Sequence, residues 1–469
     1  MEASVKPRVA VVTIGHVDHG KSTLLGRLLV ETGVVSPEEI ARYEREARLL
    51  GKASFKYAWV LDRSAESRER GLTLDLGYAD LATRNRRVHL IDAPGHQDFV
   101  RSMITGTAGA DAALLVVDAS EGIMPQTREH VQLASSMGLL QVIVALNKID
   151  RVDYDQRRIA QRAAELREHL LPLGFSKVDV IPVSAWDGEN LTRRGPRMVW
   201  YRGRTLEEAL DGLEARAAAG EGSLRLPIMD VLSVSGLGTV AVGRIERGTL
   251  REGQEVAIEP AHKVVLVKSI EIHGQGVDTA SAGDTVGLAL RGVAKTDIQR
   301  GDVIGPEDAP PVAADAFEAR VAITADIGHA GPGWTATLHC HAASVSVRLD
   351  GVVSRLDPAS GEESASSRPT LAKGDVARVR FIASKPVVVE GPQHGPALGR
   401  FALRVGRGTV GAGSVVSITP HAPAAAAAGE ASFSYKAQKV GAAARRRKEE
   451  EARERRDIHG KPLKPGGKK

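Results

Sequence analysis

Cys340 is the only cysteine in 469 residues. No disulfide can form within the chain, so its folded state must rest on packed cores. Aromatic residues make up only 4% and are not interleaved with lysine and arginine. That argues against a stacking platform for single-stranded nucleic acid. No uninterrupted apolar run reaches the roughly 18 residues that a membrane helix needs. The opening MEASVKPRVAVVTIG has no long apolar core before its charged and glycine residues. Neither a signal peptide nor a membrane partner is expected, and a soluble, cytoplasmic protein is. Positive charge is also scarce over most of the chain. The net charge is +5, yet Gly429–Lys469 holds 13 Lys/Arg against 6 Asp/Glu, a surplus of seven, which leaves −2 for the rest. The body is therefore not a generally basic nucleic-acid binder.

At about 100–200 residues per domain, the length predicts two to four domains. Short apolar runs occur at Val9–Ile14, Val88–Asp92, Ala112–Asp118, Gln141–Leu146 and Val178–Val183. Helix-length segments lie between them, at Lys21–Thr32, Gln126–Met137 and Tyr154–Leu171. Buried strands alternating with helices predict a parallel sheet covered on both faces. Past Gly220 the texture changes to glycine-punctuated strand patterns at Thr239–Ile245, Val264–Ile272 and Thr285–Leu290. A second such series runs from Phe317 to Ile418, and two all-β domains follow. Pro306–Ala314 reads as a linker and Pro423–Ala428 as another. The expected organisation is an α/β domain over 1–220, β-barrel domains over 221–310 and 311–420, and a low-complexity, basic, disordered tail over 421–469.

Gly15-His16-Val17-Asp18-His19-Gly20-Lys21-Ser22 matches G-x-x-x-x-G-K-[ST], follows an apolar strand and opens a helix that continues with Thr23. Glycines there let backbone N–H groups close on phosphate oxygens, and the helix N-terminus adds partial positive charge. Lys21 is placed for the β- and γ-phosphates of GTP, and Ser22 for Mg²⁺. Asp92-Ala-Pro-Gly95-His96 closes the second apolar run. An acid at the end of a parallel strand faces the ligand crevice, so Asp92 is a second candidate for Mg²⁺. Gly95 can offer its N–H to the γ-phosphate, and His96 can orient the attacking water as the catalytic residue. Thr73, between these motifs, is a candidate to bring a hydroxyl to Mg²⁺ when the γ-phosphate is present. Asn147-Lys148-Ile-Asp150 closes the fourth run. The carboxylate of Asp150 can accept both guanine N1–H and N2–H, a pair of donors that adenine lacks. Ser184-Ala185 follows the fifth run, where a turn can offer a backbone N–H to guanine O6.

Several strings together resemble the translational GTPases of the elongation factor 1-alpha and elongation factor Tu group. They are Ser54-Phe-Lys-Tyr-Ala-Trp-Val-Leu-Asp62, Glu69-Arg-Gly-Leu-Thr73, Asp92-Ala-Pro-Gly-His96, Met103-Ile-Thr-Gly-Thr107, Gln126-Thr-Arg-Glu-His130, Leu398-Gly-Arg-Phe-Ala-Leu403 and Thr409-Val-Gly-Ala-Gly413. The resemblance covers about residues 8–420. It implies a GTPase domain followed by two β-barrels, with GTP and Mg²⁺ bound. It also implies delivery of aminoacyl-tRNA to the ribosome and resetting by a guanine-nucleotide exchange factor. It puts Glu271 against the terminal adenosine of tRNA, Arg407 near the tRNA stem, and Thr285 near the aminoacyl group, where the family usually carries asparagine. The short Asp118–Gln126 connection is of bacterial type, and Ile270-Glu-Ile-His-Gly274 is similar to the selenocysteine-specific factor. Two other functions share this architecture: the GTPase subunit of ATP sulfurylase, and a ribosome-rescue GTPase that delivers a tRNA-shaped protein.

Other signals read as structural. His339 and His341 on one strand face, with Cys340 on the other, do not make a metal site. Trp59, Trp186, Trp200 and Trp334 read as packing residues. The Arg445–Lys448 run, followed by Glu449–Glu451, reads as a solvated tail or an RNA-contacting one.

Overall fold

The computed structural model describes residues 6–49, 51, 55–61, 76–94, 100–215, 222–272, 274–328, 330–356, 363–365, 368–394, 397–406 and 408–421. Thr73, Gly95, His96, Arg407 and the tail beyond residue 421 lie outside them.

The first domain is built on a six-stranded sheet in the order β2-β3-β1-β4-β5-β6. Its strands are β1 (Arg8–Ile14), β2 (Gly77–Ala82), β3 (Arg87–Asp92), β4 (Ala112–Asp118), β5 (Gln141–Asn147) and β6 (Lys177–Pro182). The helices are α1 (Lys21–Glu31), α2 (Pro37–Leu49), α3 (Val100–Ala108), α4 (Pro125–Ser136), α5 (Gln156–Leu170) and α6 (Leu206–Asp211). Alternate residues of one strand feed opposite cores. Val12, Ile14, Leu115 and Val117 lie in one, and Val11, Leu114 and Val116 in the other. All seven β4 residues are buried, which is why this strand reads as a continuous apolar run. At its N-terminus α5 is capped by the Asp155 carboxylate, which accepts from the Arg158 N–H at 2.7 Å. A reciprocal Thr205–Glu208 capping box starts α6.

The sheet is mixed rather than all-parallel. The edge strand β2 pairs antiparallel with β3, Tyr78 opposite Ile91. Its alternating exposure, with only Leu81 fully buried, produces no apolar run. Helix α2 likewise shows no apolar stripe in the sequence, because only Tyr43 and Ala47 are buried along it.

Two closed antiparallel barrels follow. The first comprises β7 (Leu226–Val234), β8 (Gly238–Arg244), β10 (Glu255–Glu259), β11 (Lys263–Ile272), β14 (Thr285–Arg291) and β15 (Val303–Pro306). These run in the order β10-β15-β7-β8-β14-β11, closed by β10–β11. The short β12 (Gln275–Val277) extends β11, and β9 (Thr249–Arg251) pairs with β13 (Thr279–Ser281). The second contains β16 (Ala313–Ile323), β17 (Thr335–Cys340), β18 (Ala343–Leu356), β20 (Val376–Val388), β21 (Arg400–Val405) and β22 (Gly408–Pro420), with β19 (Glu363–Ala365) extending β18. Pairing of β17 with β18 closes it. Phe317, Phe381 and Phe401 fill its centre, with ring centroids 5.8–6.3 Å apart.

Three local expectations change. Pro306 ends β15 and Ala313 begins β16, so only 307–312 join the barrels. His341 is not on a strand with His339. Strand β17 ends at Cys340, and His341 turns the chain at φ 42° with Nε2 3.0 Å from the Val388 carbonyl. Trp59 is buried as a packing residue, whereas Trp186 is 54% exposed.

Candidate nucleotide site

Parallel register brings the motif-bearing chain ends to one edge of the sheet. Thr13 on β1 lies opposite Asp92 on β3, and Asp118 on β4 lies opposite Asn147 on β5. The loops after β1, β3, β4, β5 and β6 therefore open at the carboxyl ends of the strands, where α/β sheets bind ligands.

The loop from Gly15 to Gly20 wraps tightly. Gly15 has φ 141°, and a Cβ there would lie 2.3 Å from the Val116 carbonyl oxygen. At Gly20, φ is 89° and a Cβ would lie 2.7 Å from Asn147 Nδ2. Only glycine satisfies both the angles and the close approach. Asp18 adopts φ 62° between them. The Val17 N–H donates to Gln126 Oε1 at 3.1 Å, and the Gly15 N–H donates to His130 Nδ1 at 3.2 Å. Lys21 begins α1 and folds its buried ammonium onto the loop, donating to the Gly15 and His16 carbonyls at 3.1 and 2.8 Å. Burial pushes its pKa down to about 8, against the opposing pull of Asp92 and Asp18. Ser22 and Thr23 follow in the first turn of α1. His19 is enclosed, with Nδ1 3.3 Å from the Val116 carbonyl and Nε2 3.1 Å from Glu121.

Asp92 is fully buried at the end of β3. The Thr13 hydroxyl beside it is buried with no hydrogen bond among the described residues. On the other side of the loop, Asn147 ties three segments together. Its Nδ2 donates to the His19 carbonyl at 2.9 Å, and its Oδ1 accepts from the Ala185 N–H at 3.0 Å. Lys148, at φ 58°, donates to the Asp18 carbonyl at 2.5 Å and lies 3.0 Å from Asp118. Burial raises the Asp118 carboxyl, but Ser120 and Lys148 outweigh it and hold the group below its ordinary range. The Ser184 hydroxyl donates to Asp150 Oδ1 at 2.6 Å, which sets the direction of that carboxylate.

Several residues of this network have no chemical role legible in the sequence, although Gln126 and His130 belong to one of the family-like strings. Gln126 and His130 are four apart on α4, so one helical face reaches the loop twice. That spacing was the available signal. Asp118 and Glu121 act across chain separations that only the sheet register closes, while Ser120 acts locally on Asp118. Away from this edge, Glu271 on β11 is exposed and lies opposite Gly287 of β14, two residues from the half-buried Thr285. Both positions therefore fall on one face of neighbouring strands.

The glycine cradle, the under-compensated buried ammonium and the hard oxygen donors Ser22 and Asp92 fit a Mg²⁺–nucleoside triphosphate. Among the described residues there is no cluster of three or more His, Cys, Asp or Glu. Mg²⁺ needs none, since it takes few protein ligands beside phosphate and water. Fold and site together define a P-loop GTPase with two appended β-barrels. The chain matches the elongation factor Tu GTP-binding domain over residues 6–233, elongation factor Tu domain 2 over 238–305 and the GTP-eEF1A C-terminal domain-like family over 316–416. It is 46% identical over 426 residues to elongation factor 1-alpha of Aeropyrum pernix, covering 88% of this chain and 98% of that one. Identity to the Pyrococcus furiosus factor is also 46%, over 422 residues, with the same coverage of each. The chain belongs to the elongation factor 1-alpha/elongation factor Tu family of translational GTPases; it is a translation elongation GTPase that hydrolyses GTP and uses Mg²⁺. The fold is shared with translation elongation factor SelB from Methanococcus maripaludis in complex with a GTP analogue (TM-score 0.66, 23% identity, 88% of this chain and 80% of that one). It is shared also with the GTP-bound GTPase-like domain of S. cerevisiae Ski7 (TM-score 0.69, 16% identity, 88% and 97%). Among the described residues no helix is long and apolar enough to cross a membrane.

Proposed function

We propose that this GTPase delivers aminoacyl-tRNA to the ribosome in the cytoplasm. The observation that carries the reading is the unbroken match through the GTPase domain and both barrels to relatives named elongation factor 1-alpha, at 46% identity over 98% of their length. Glu271 and Thr285, on adjacent barrel strands, are the proposed contacts to the acceptor end of tRNA, and Arg407 to its stem. A guanine-nucleotide exchange factor is the proposed partner for resetting the GDP form.

Within the nucleotide site, backbone N–H groups of Gly15–Lys21 and the Lys21 ammonium take the phosphates. Ser22, Thr73 and Asp92 would hold Mg²⁺, whose charge would offset the negative charge on the phosphoryl oxygens. Gly95 faces the γ-phosphate, and His96 orients water for attack, so His96→Ala slows turnover while GTP is retained. Asp150, steered by Ser184, accepts from guanine N1–H and N2–H. Asn147 and Lys148 brace the base against the phosphate loop, and the Ala185 N–H reaches guanine O6. Thr73 lies in the stretch through which the γ-phosphate controls the barrels.

The test is protection of the aminoacyl ester. The protein bound to a non-hydrolysable GTP analogue should slow spontaneous deacylation of charged tRNA, and the GDP form should not. Equal deacylation in both forms and in buffer alone rules the delivery role out.

A further inference from the structure

Outside the residues assigned above, one heavily constrained side chain near the nucleotide site is Arg27. It lies on α1, six residues past Lys21, and the phosphate and base roles make no use of it. Its Nη1 donates to the Tyr57 hydroxyl at 2.6 Å and to the Trp186 carbonyl at 3.2 Å. Its Nη2 donates to the Asp187 carbonyl at 3.5 Å, and its Nε to Glu31 at 2.9 Å. The guanidinium carbon stands 5.1 Å from the Tyr57 ring centroid. One planar group thus joins three separate segments: α1, the stretch around Tyr57, and the turn that follows Ser184-Ala185.

The surroundings are shaped to admit it. A Cβ on Gly188, at φ 79°, would lie 2.4 Å from Arg27 Nη2 and 2.3 Å from Glu31 Oε1. A Cβ on Gly26 would lie 1.9 Å from the Tyr57 carbonyl oxygen. Glycine at both places allows the turn and the Tyr57 segment to close on α1 and its arginine. Glu31, held by Arg27 through one oxygen, accepts from the Thr192 hydroxyl through the other at 3.1 Å. The chain just past the Ser184–Glu189 turn is therefore tied to the same helix. A fork of fixed N–H directions meets hydroxyl, carbonyls and carboxylate at once, a geometry that an ammonium cannot copy.

We propose that Arg27 is a positioning residue for guanine-nucleotide retention. It holds the Ser184–Glu189 turn against α1, so the phosphate helix and the base-recognition turn move as one body. Tyr57 braces the arginine from a third segment of the chain. The inference rests on the reading of Asp150, Ser184 and Ala185 as the guanine-recognition group.

Displacement of a fluorescent GDP analogue from the full-length protein reads the effect. Arg27→Ala should release nucleotide about tenfold faster, the change expected from losing about 1.4 kcal/mol of charge-assisted contact. Arg27→Lys should recover only part of the loss, and Tyr57→Phe, which removes a single hydroxyl, should show a smaller acceleration. The fraction of protein that binds nucleotide at saturation should stay that of the parent. Unchanged release in Arg27→Ala overturns the proposal. So does a loss of binding-competent fraction with an unchanged release rate in the remainder, because that is the mark of a general packing role. Asp150→Asn in parallel separates the two readings. If it shifts preference from guanine to xanthine while Arg27→Ala leaves release unchanged, only the role of Arg27 fails. If Asp150→Asn shifts nothing, the base-recognition reading fails as well.

Discussion

The carboxylate of Asp111, just before β4, and the guanidinium of Arg244, at the end of β8 in the first barrel, meet at 2.6 Å with both side chains almost wholly excluded from water. Arg244 also donates to the Gly109 carbonyl, and Asp111 Oδ2 accepts from the Ala10 N–H at 2.8 Å. The pair joins the GTPase domain to the first barrel. Removing one partner leaves the other charge buried, so Asp111→Ala should destabilise the protein by about 3–5 kcal/mol. Replacing both by apolar residues of similar volume should cost far less. Urea unfolding of the single and double variants decides it, and a single-variant loss under about 1 kcal/mol would contradict the buried-pair account.

Asp150 should set base choice. Ser184 already directs one carboxylate oxygen, and Asp150→Asn swaps an acceptor for a donor facing guanine N–H groups. The variant should lose about 1.5–3 kcal/mol or more of GTP affinity and gain affinity for xanthosine triphosphate. Titration with both nucleotides checks this, and undiminished GTP binding would remove Asp150 from the role.

Nucleotide binding should take up protons on the alkaline side of neutrality. In the protein without nucleotide, burial lowers the Lys21 pKa to about 8 from an ordinary 10.5. Between those values the folded, ligand-free protein is short of a proton relative to a normal lysine. Phosphate oxygens beside the ammonium restore its charge and draw the proton back. Calorimetry at pH 8.5 in buffers of different ionisation enthalpy should show uptake of about half a proton or more per GDP bound. Lys21→Met should abolish the uptake.

Stability should fall as pH drops below neutrality. Burial lowers His130 to about 3, with the positive charges of Lys21 and Arg404 adding to the effect, and burial lowers His341 to about 4. The unfolded chain, with ordinary histidines, binds protons from about pH 6.5 downward while the folded protein does not. Each such group contributes a slope of about 1.4 kcal/mol per pH unit within its window, with stability lost as pH falls. His130→Gln should remove about one proton's worth of that slope between pH 6 and 4. It should also loosen the Gly15 loop that His130 braces. An unchanged slope would mean that His130 is protonated in the folded state.

Local chemistry by itself determined much of this protein. The Gly15–Ser22 string has a phosphate-loop meaning wherever a strand precedes it and a helix follows, because its requirements are backbone angles and one lysine. The interior strands β1, β3, β4 and β5 announce themselves as apolar runs, since both faces of a central strand are covered, and the edge strand β6 does so through its buried C-terminal half. The barrels announce themselves through alternation and glycine spacing. Strand β2 and helix α2 do not, because each buries too little to leave a pattern.

Tertiary structure alone decided which distant residues meet. Asp118 and Lys148 lie thirty positions apart in sequence, and parallel register across β4 and β5 brings them to 3.0 Å. Asn147 reaches both His19 and Ala185 for the same reason. Glu121 at His19, Arg244 at Asp111 and Arg27 between Tyr57 and Trp186 follow no spacing rule. Each pairing is set by how sheets, helices and barrels pack, and a linear pattern carries no distances across a fold.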